Sequence, residues 1–138
     1  MSTGSIVPLI LVATADREGV PHLSTAQELH LAPHDRIEVE AWFCPQTLRN
    51  LQGNPAVSMV VWDRHNDRGV QIRGRTERVE ASAALDGYVP GVEAADVPQV
   101  LQRLFVLMER VSEFRDRAHS DAAAVGCREL SEMVAGRP

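Results

Sequence analysis

The sequence predicts a mainly β protein with short helices, folded as one small antiparallel barrel or sandwich. Its 138 residues suit a single domain, and 44% of them are hydrophobic, which is enough to form a core. Alternating segments such as RIEVEAWF at 36–43 have the period of a half-buried strand. Short connections rich in Gly, Pro, Asn and Asp separate these segments, which is typical of antiparallel neighbours in such folds.

The first two strands are predicted from an apolar run, a turn and a weaker alternation. LILVATAD at 9–16 indicates a buried strand, and DREGVP at 16–21 indicates the turn after it. HLSTAQELHL at 22–31 is then interpreted as one strand. One of its faces carries His22, Ser24, Ala26 and Glu28, and the other carries Leu23, Thr25, Gln27 and Leu29.

Three more strands follow in meander order. The turn APHD at 32–35 leads into 36–43, and the hairpin-type turn at 64–69 separates the remaining two strands. AVSMVVWD at 56–63 is almost entirely apolar, which predicts burial on both faces, whereas 70–80 alternates. The residues predicted to point inward are Ile37, Val39, Ala41, Phe43, Val70, Ile72, Gly74 and Thr76, and those predicted to point outward on the last strand are Gln71, Arg73, Arg75 and Glu77.

The last third of the chain leaves two interpretations open. ASAALDGY at 81–88 predicts a short helix. Beyond it, one alternative is a helix at about 98–102 followed by a closing strand from about 104, and the other is a long amphipathic helix, which periodicity favours. Residues 117–138 predict a C-terminal tail with a possible last helix. The apolar face of the long helix would consist of Val100, Leu104, Leu107, Val111 and Phe114.

The connector PQTLRNLQ at 45–52 is predicted to form about two turns of helix between two strands. Pro45 suits the first helical position, and a glycine followed by Asn-Pro ends the helix. The first-turn N–H groups, at Gln46 and Thr47, lack helical partners and make a natural phosphate site. The Thr47 hydroxyl and Arg49 could both donate to a phosphate. The alternative is that Thr47 only caps the helix and Arg49 is a solvated surface residue.

Charge and cysteine content narrow the classes of function. The net charge of −5 argues against a nucleic-acid partner, and all fourteen fixed cations are arginines. Cys44 and Cys127 form no CxxC motif, so we predict neither a disulfide nor a metal site. We expect Cys44 to be buried and inert; the alternative is a redox-active thiol whose pKa is lowered by the helix start that follows it. No apolar run is long enough to span a bilayer and no basic signal segment opens the chain, so we expect a cytoplasmic location.

The order of these pieces resembles the pyridoxamine 5′-phosphate oxidase-like family, the FMN-binding split barrels. Three motifs carry the resemblance together: ADREGVPHLST at 15–25, TLRNLQGNPAVSMVVWD at 47–63 and IRGRTERVE at 72–80. The resemblance implies a six-stranded antiparallel split barrel as a single domain over 1–138, with its core at about 6–116. It also implies a homodimer with FMN at the subunit interface, and it selects the closing strand instead of the long helix.

The resemblance further implies a cofactor site. The strand after the Gly-x-Pro turn would run along the flavin, and the end of the third strand would contact the ring or ribityl chain. The helix start would hold the phosphate, and the strand entering RGR would offer a polar side chain. In this order the implied residues are Ser24, Thr25, Ala26 and Gln27, then Ala41, Trp42 and Phe43, then Gln46, Thr47 and Arg49, then Gln71 or Arg73.

The chain departs from the family pattern at two places. Many members have Arg-Lys or Lys where this chain has Gln46-Thr47, so the cation must come from Arg49, Arg73, Arg75 or a partner subunit. The C-terminal Arg and Trp of true oxidases have no clear match, which argues against vitamin B6 oxidation. The resemblance therefore implies an FMN-binding flavoprotein, an oxidoreductase of an unknown small substrate. The alternatives are an F420- or haem-binding protein and a non-catalytic flavin carrier. No catalytic residue set is predicted, since a flavin supplies its own redox chemistry.

Overall fold

The computed structural model of the protein describes residues 8–83, 101–122 and 124–135. The fold of these residues is mainly β, and every strand pairing is antiparallel. Neither described helix is long and apolar enough to cross a membrane. The elements in chain order are β1 (Leu9–Ala15), β2 (Pro21–Ala26), β3 (Glu28–Ala32), β4 (Arg36–Ala41), α1 (Pro45–Gly53), β5 (Ala56–Asp63), β6 (Arg68–Ala83), β7 (Leu101–Phe114) and α2 (Cys127–Ala135).

The strands form one seven-stranded sheet in the order β2-β1-β5-β6-β7-β4-β3. Its two outermost strands, β2 and β3, are consecutive in the chain and are separated only by Gln27. At that residue the backbone N–H donates to the carbonyl of Glu40, at 3.0 Å, so the chain changes from pairing with β1 to pairing with β4. The described sheet therefore has seven strands where six were predicted, because the segment 22–31 is divided at a bend.

The bend at Gln27 also changes which side chains point inward. Before it, His22 and Ser24 are half-buried and Leu23 is 62% exposed; after it, Leu29 is only 1% exposed. The prediction that Leu23 and Leu29 share a face is wrong, because one residue outside the pleat shifts the alternation by one position.

The core lies on the inner face of the sheet, as the alternation of β4 and β6 predicted. The second face of β5 is only half-buried at Ser58, Val60 and Trp62, so the prediction of burial on both faces is wrong. An antiparallel strand needs just one fully buried face. The predicted inward residues that are buried are Ile37, Val39, Ala41, Phe43, Val70, Ile72 and Gly74.

Strand β7 decides between the two interpretations of the last third. Leu104 and Val106 are both fully buried and alternate with partly exposed neighbours, as in a strand. The strand pairs with β4 on one side and β6 on the other. The long amphipathic helix is therefore wrong and the closing strand is confirmed, because two ladders of backbone hydrogen bonds override a local helical period. The helix predicted at 81–88 is also wrong over 81–83, where β6 continues, and the short helix predicted at about 98–102 is wrong over 101–102, where β7 begins. Residues 84–88 and 98–100 lie outside the described residues.

The possible last helix is present as α2, and it packs against the sheet. Leu130 is fully buried in the core. On the outer side, Arg68 at the start of β6 forms ion pairs with Glu129 and Glu132. The segment predicted as a tail therefore contributes a fully buried side chain, Leu130, to the core.

The residues that directly follow β7 are attached to the β5–β6 turn through Asp67, whose carbonyl accepts from Arg115 and whose carboxylate accepts further bonds. Asp67, which has a φ of 49°, accepts the backbone N–H groups of Asp116 and Arg117 at 2.5 and 3.1 Å. It also accepts the indole N–H of Trp62 at 3.1 Å. The Asp116 N–H, and after it the Arg117 N–H, outweigh burial and lower the pKa of Asp67 below its usual value.

We expect this attachment to be lost in acid. Since the pKa of folded Asp67 lies below the unfolded value of about 3.9, its stabilising contribution is complete above that value and is lost as pH falls through the folded pKa. The NMR resonance of the Trp62 indole N–H should therefore shift in an acid titration, with a midpoint below about 3.9. Asp67→Asn should abolish this pH-dependent shift of the Trp62 resonance, whereas Asp63→Asn, at the end of β5, should preserve it. If the Trp62 resonance still shifts in Asp67→Asn, protonation of Asp67 is not its cause.

Candidate functional site

Helix α1 forms where the sequence predicts it, and it lies against β1 and β2. Pro45 occupies the first turn and Cys44 is the N-cap, with extended backbone angles and no side-chain capping bond. At the other end the N–H of Asn54 donates to the carbonyl of Asn50 at 2.8 Å, which closes the last turn. The inward face carries Thr47, Asn50 and Leu51, and it connects α1 to the strands through polar as well as apolar contacts.

The Thr47 side chain lies entirely inside the protein. Its hydroxyl donates to Ser24 Oγ at 3.4 Å, and Ser24 Oγ donates in turn to the carbonyl of Val12 at 3.4 Å. The Thr47 backbone N–H donates to the carbonyl of Cys44 at 3.1 Å. Thr47 therefore faces β2 and Cys44, and it holds the start of α1 in place from within.

A histidine and a cysteine meet at the start of α1. The Nε2 atom of His22, on β2, lies 3.1 Å from Cys44 Sγ, and Thr47 Oγ1 lies 3.4 Å from the same sulfur. Both His22 and Cys44 are half-buried. Burial raises the pKa of the Cys44 thiol, but hydrogen bonds from the Thr47 side chain and backbone and from His22 outweigh it and lower the pKa to about 7.

A second polar chain runs from the core to the surface of α1. Asn50 Nδ2 donates to Thr14 Oγ1 at 3.0 Å in a buried contact, and Asn50 Oδ1 accepts from Gln46 Nε2 at 2.8 Å. Gln46 Oε1 then accepts from Arg49 Nη2 at 2.9 Å. The exposed Arg49 guanidinium is thus positioned by a side chain that is itself held from the core.

A cleft of about 390 Å³ opens between α1 and the β1–β2 turn; we call it the α1 cleft, lined by Arg17, Gln46, Arg49 and Asn50 among others. Arg17 lies across the end of the helix, where a Cβ on Gly53 would come within 2.8 Å of its Nε. The glycine that ends α1 thereby leaves space for the Arg17 side chain. Two guanidinium groups border this cleft, and such groups bind phosphate and carboxylate with paired hydrogen bonds.

Two acidic residues, Asp16 and Glu18, also line the α1 cleft. The Asp16 carboxylate accepts the backbone N–H groups of Glu18 and Val20, each at 2.9 Å. The Asp16 carboxylate is therefore already hydrogen-bonded within the β1–β2 turn. Gly19 allows this turn by adopting a φ of +86°. Arg17 and Arg49 remain the side chains of this cleft that suit an anion.

A second cleft of about 400 Å³ lies along β1, β5 and β6; we call it the strand cleft. Its lining is largely apolar, with Ala13, Ala15 and Pro21 on one side, and Arg73 and Glu109 supply charge. This combination suits a mostly apolar molecule that carries a polar group.

Strand register divides the predicted site residues between the two faces of the sheet. Thr25 is opposite Leu11, Leu11 is opposite Val60, and Val60 is opposite Gln71, so these four share the outer face. Gln71 Nε2 donates there to Ser58 Oγ at 3.1 Å. Arg73, two residues after Gln71, points to the same side. Ser24 and Ala26 point instead to the face that α1 covers.

The remaining predicted residues lie at the ends of β3 and β4. Ala41 and Phe43 are buried, so their side chains belong to the core, whereas Trp42 between them is 38% exposed. Gln27 is exposed at the bend. At the end of β4, Trp42 is thus the side chain that can contact a ligand. The structure brings together Ser24 with Thr47 and Gln46 with Arg49 within one chain, but not Gln71 or Arg73 with either pair.

Sequence reasoning missed Asn50 and Arg17 in this region. Asn50 could have been found, because it lies four residues after Gln46 and therefore on the same side of the helix. Arg17 gave no such signal, since a turn arginine is usually solvated. The sequence placed His22 on one face of the strand at 22–31 but gave no sign of its contact with Cys44, which depends on two elements far apart in sequence.

A family model described as pyridoxamine 5′-phosphate oxidase matches residues 7–115 of the chain. None of the curated protein sequences matches the chain significantly.

Solved structures share the fold at low sequence identity. A tagged form of HupZ from Group A Streptococcus is 19% identical with a TM-score of 0.56, over 87% of this chain and 99% of that one. A structure described as F420 reductase is 22% identical with a TM-score of 0.54, over 77% and 90%. An FMN-binding protein from Syntrophomonas wolfei subsp. wolfei is 12% identical with a TM-score of 0.55, over 84% and 80%. At these identities the similarity shows the fold alone.

Proposed function

The chain belongs to the pyridoxamine 5′-phosphate oxidase family, and from this premise we propose that it binds FMN and acts as a flavin-dependent oxidoreductase on a small substrate. The observation that carries this proposal is the α1 cleft, where Arg17 and Arg49 border a space that runs along helix α1 from Gln46 to Gly53. A phosphate monoester is the part of FMN that such a cleft fits.

Gln46 and Arg49 are the residues we assign to the phosphate. Arg49 is exposed and already directed by its bond to Gln46, so little side-chain freedom is lost when it pairs with an anion. Arg17 approaches from the β1–β2 turn over Gly53. Ser24 and Thr47 act indirectly in this proposal, since their mutual hydrogen bond sets the position of the helix start.

We further propose a homodimer in which the cofactor lies across the subunit interface. Thr25, Gln71 and Arg73 are on the outer face of the sheet, and Ser24 is on the face that α1 covers. Within a single subunit the sheet lies between these two sets of side chains. A second copy that presents its outer face and strand cleft to the first would bring the two sets to the same molecule, with Trp42 and Gln27 exposed at the edge.

When bound, FMN supplies the redox chemistry of its ring. The chain's own residues then bind and orient it: the arginines of the α1 cleft fix the phosphate, and the apolar strand cleft excludes water from one side of a flat ring. Gln71 and Arg73 offer hydrogen-bond donors near that cleft. These groups can set the position and electron affinity of the ring without any catalytic residue of the protein taking part.

The deazaflavin F420 is the second candidate, since a structure of similar fold is described as F420 reductase. The absorption spectrum of the purified protein separates the candidates. We expect the bands of oxidised flavin, whereas an F420 spectrum, or a Soret band from haem, would replace FMN in the proposal. Bleaching of the bound flavin by NADH or NADPH would indicate an enzyme. A flavin that neither donor bleaches would favour the non-catalytic carrier.

We expect Arg49→Glu to raise the Kd for FMN at least about tenfold, because it replaces a phosphate partner with a like charge. Arg64→Glu is the matched control, since Arg64 is exposed in the turn at the opposite end of β5 and should leave the Kd unchanged. Titration of each apoprotein with FMN, followed by flavin fluorescence, measures the difference. Equal affinities of Arg49→Glu and the native chain would reject the α1 cleft as the phosphate site. Thr47→Glu is unsuitable here, because it would place a charge in a fully buried position.

A further inference from the structure

We propose that Cys44, hydrogen-bonded to His22 and Thr47, is a reactive thiolate centre and a site of covalent modification by small electrophiles, including hydroperoxides. This site shares Thr47 with the proposed flavin site, but its reactivity requires no cofactor. It also differs from the expectation that Cys44 is an inert buried cysteine.

The geometry is that of an activated nucleophile. A thiol becomes nucleophilic when an imidazole lies within hydrogen-bond reach, and His22 Nε2 is 3.1 Å from Cys44 Sγ. The two side chains come from different elements, β2 and the residue before α1, so the tertiary fold holds the pair together. Both residues are half-buried, so neither belongs to the fully buried core.

Thr47 is a second hydrogen-bond partner of the sulfur, and its hydroxyl can turn to donate to the sulfur when the sulfur is negatively charged. Its hydroxyl has a single proton, which is donated to Ser24 Oγ in the arrangement observed. The same oxygen is 3.4 Å from Cys44 Sγ, so rotation of the hydroxyl would direct the proton to a thiolate. The Thr47 backbone N–H at the helix start also favours negative charge on the sulfur.

The ionisation of Cys44 falls near neutral pH for these reasons. The two residues that act on the sulfur are His22 from β2 and Thr47 from α1, and their hydrogen bonds lower its pKa to about 7 although burial raises it. An ordinary cysteine titrates at about 8.5. At pH 6.5 the thiolate fraction would thus be about an order of magnitude larger than that of an ordinary cysteine.

The reaction with a hydroperoxide balances without any other redox partner. The thiolate sulfur attacks the outer peroxide oxygen, an S–O bond forms, and the O–O bond breaks. The sulfur loses two electrons to the peroxide, and the departing oxygen takes up the proton that the thiol gave to His22 Nε2, or one from water, and leaves as water or an alcohol. The product is the sulfenic acid of Cys44, which is reversible by thiols.

Alkylation kinetics test the proposal. The native protein is treated with iodoacetamide between pH 5.5 and 9.5, and modification of the Cys44 peptide is followed by mass spectrometry, with free cysteine as reference. We expect a midpoint near 7. At pH 6.5 Cys44 should react about fivefold faster than the reference, since its larger thiolate fraction is partly offset by the lower nucleophilicity of a less basic thiolate. After treatment with hydrogen peroxide, dimedone should label Cys44, and Cys44→Ser should remove that label.

The variant His22→Gln should move the midpoint upward and reduce the rate at pH 6.5 severalfold. His30→Gln is the matched control, because His30 is exposed on β3 beside Glu28 and should leave the profile unchanged. Circular dichroism establishes that each variant is folded. The proposal is overturned if folded native protein shows a midpoint near 8.5, or if His22→Gln and His30→Gln give the same profile.

Discussion

Replacement of Gly74 by alanine is expected to lower the free energy of unfolding by about 3 kcal/mol, the upper part of the range for overpacked sites. A Cβ at this position would lie 2.3 Å from the carbonyl oxygen of Leu107 and 3.0 Å from a methyl group of Val106. The oxygen belongs to the backbone of β7 and cannot rotate away. The two strands would have to separate next to the register shift between Arg73 and Gly74.

Urea denaturation followed by circular dichroism measures the change, and Gly126→Ala provides the comparison. The nearest atom to a Cβ on Gly126 is the backbone nitrogen of Arg128 at 3.9 Å, which is an ordinary contact. The free energy of unfolding of Gly126→Ala should differ from that of the native chain by less than about 0.5 kcal/mol. If Gly74→Ala unfolds at the same urea concentration as Gly126→Ala, β6 and β7 do not approach as closely as described.

Replacement of Leu130 by alanine is also expected to lower the free energy of unfolding by about 3 kcal/mol, because it leaves a cavity in a packed core. Leu130 is fully buried, and Met133 and Val134 of the same helix pack against the core as well. Helix α2 packs on the sheet from outside it, and its apolar contact with the core consists of Leu130, Met133 and Val134. The variant should therefore also expose α2, which limited proteolysis can detect at the C-terminal end.

Arg128→Ala serves as the control for this helix. The Arg128 side chain is 91% exposed, so its loss should change stability by less than about 0.5 kcal/mol and leave the protease pattern unaltered. A Leu130→Ala protein as stable as Arg128→Ala would show that α2 does not contribute to the core.

Much of the sheet could be predicted because its signals are local. Val39 and Ile72 alternate with polar neighbours, and this pattern alone identifies a strand with one buried face. The turn at 32–35 was likewise predictable, and it contains His34 and Asp35 with φ values of 64° and 61°. Helix α1 was predictable from Pro45 and the residues that end it.

Predictions failed where a distant partner decides the conformation. The period of 100–114 favours a helix, but the backbone groups of β7 are shared between β4 and β6, which both lie far from it in sequence. The bend at Gln27 has a similar origin, since its N–H bonds to Glu40 on another strand. No pattern within 22–31 indicates where that strand changes partners.

The candidate site likewise combines features that the local sequence predicts with features that depend on distant partners. Sequence placed Gln46, Thr47 and Arg49 at the start of a helix, and the fold has them there. It could not indicate that Thr47 turns inward to Ser24 while Arg49 turns outward beside Gln46, because those directions depend on how α1 rests on β1 and β2. The contact between His22 and Cys44 depends on the same packing.

By itself the sequence determined the fold class, most of the strands and the position of α1, because hydrophobic alternation and helix-ending residues act over a few neighbours. The tertiary structure alone decided that 101–114 is a strand, that α2 joins the core, and which polar groups meet around Cys44 and in the α1 cleft. Contacts between segments far apart in the chain settle these features, and burial and hydrogen bonding across the sheet outweigh the local preference of any one segment.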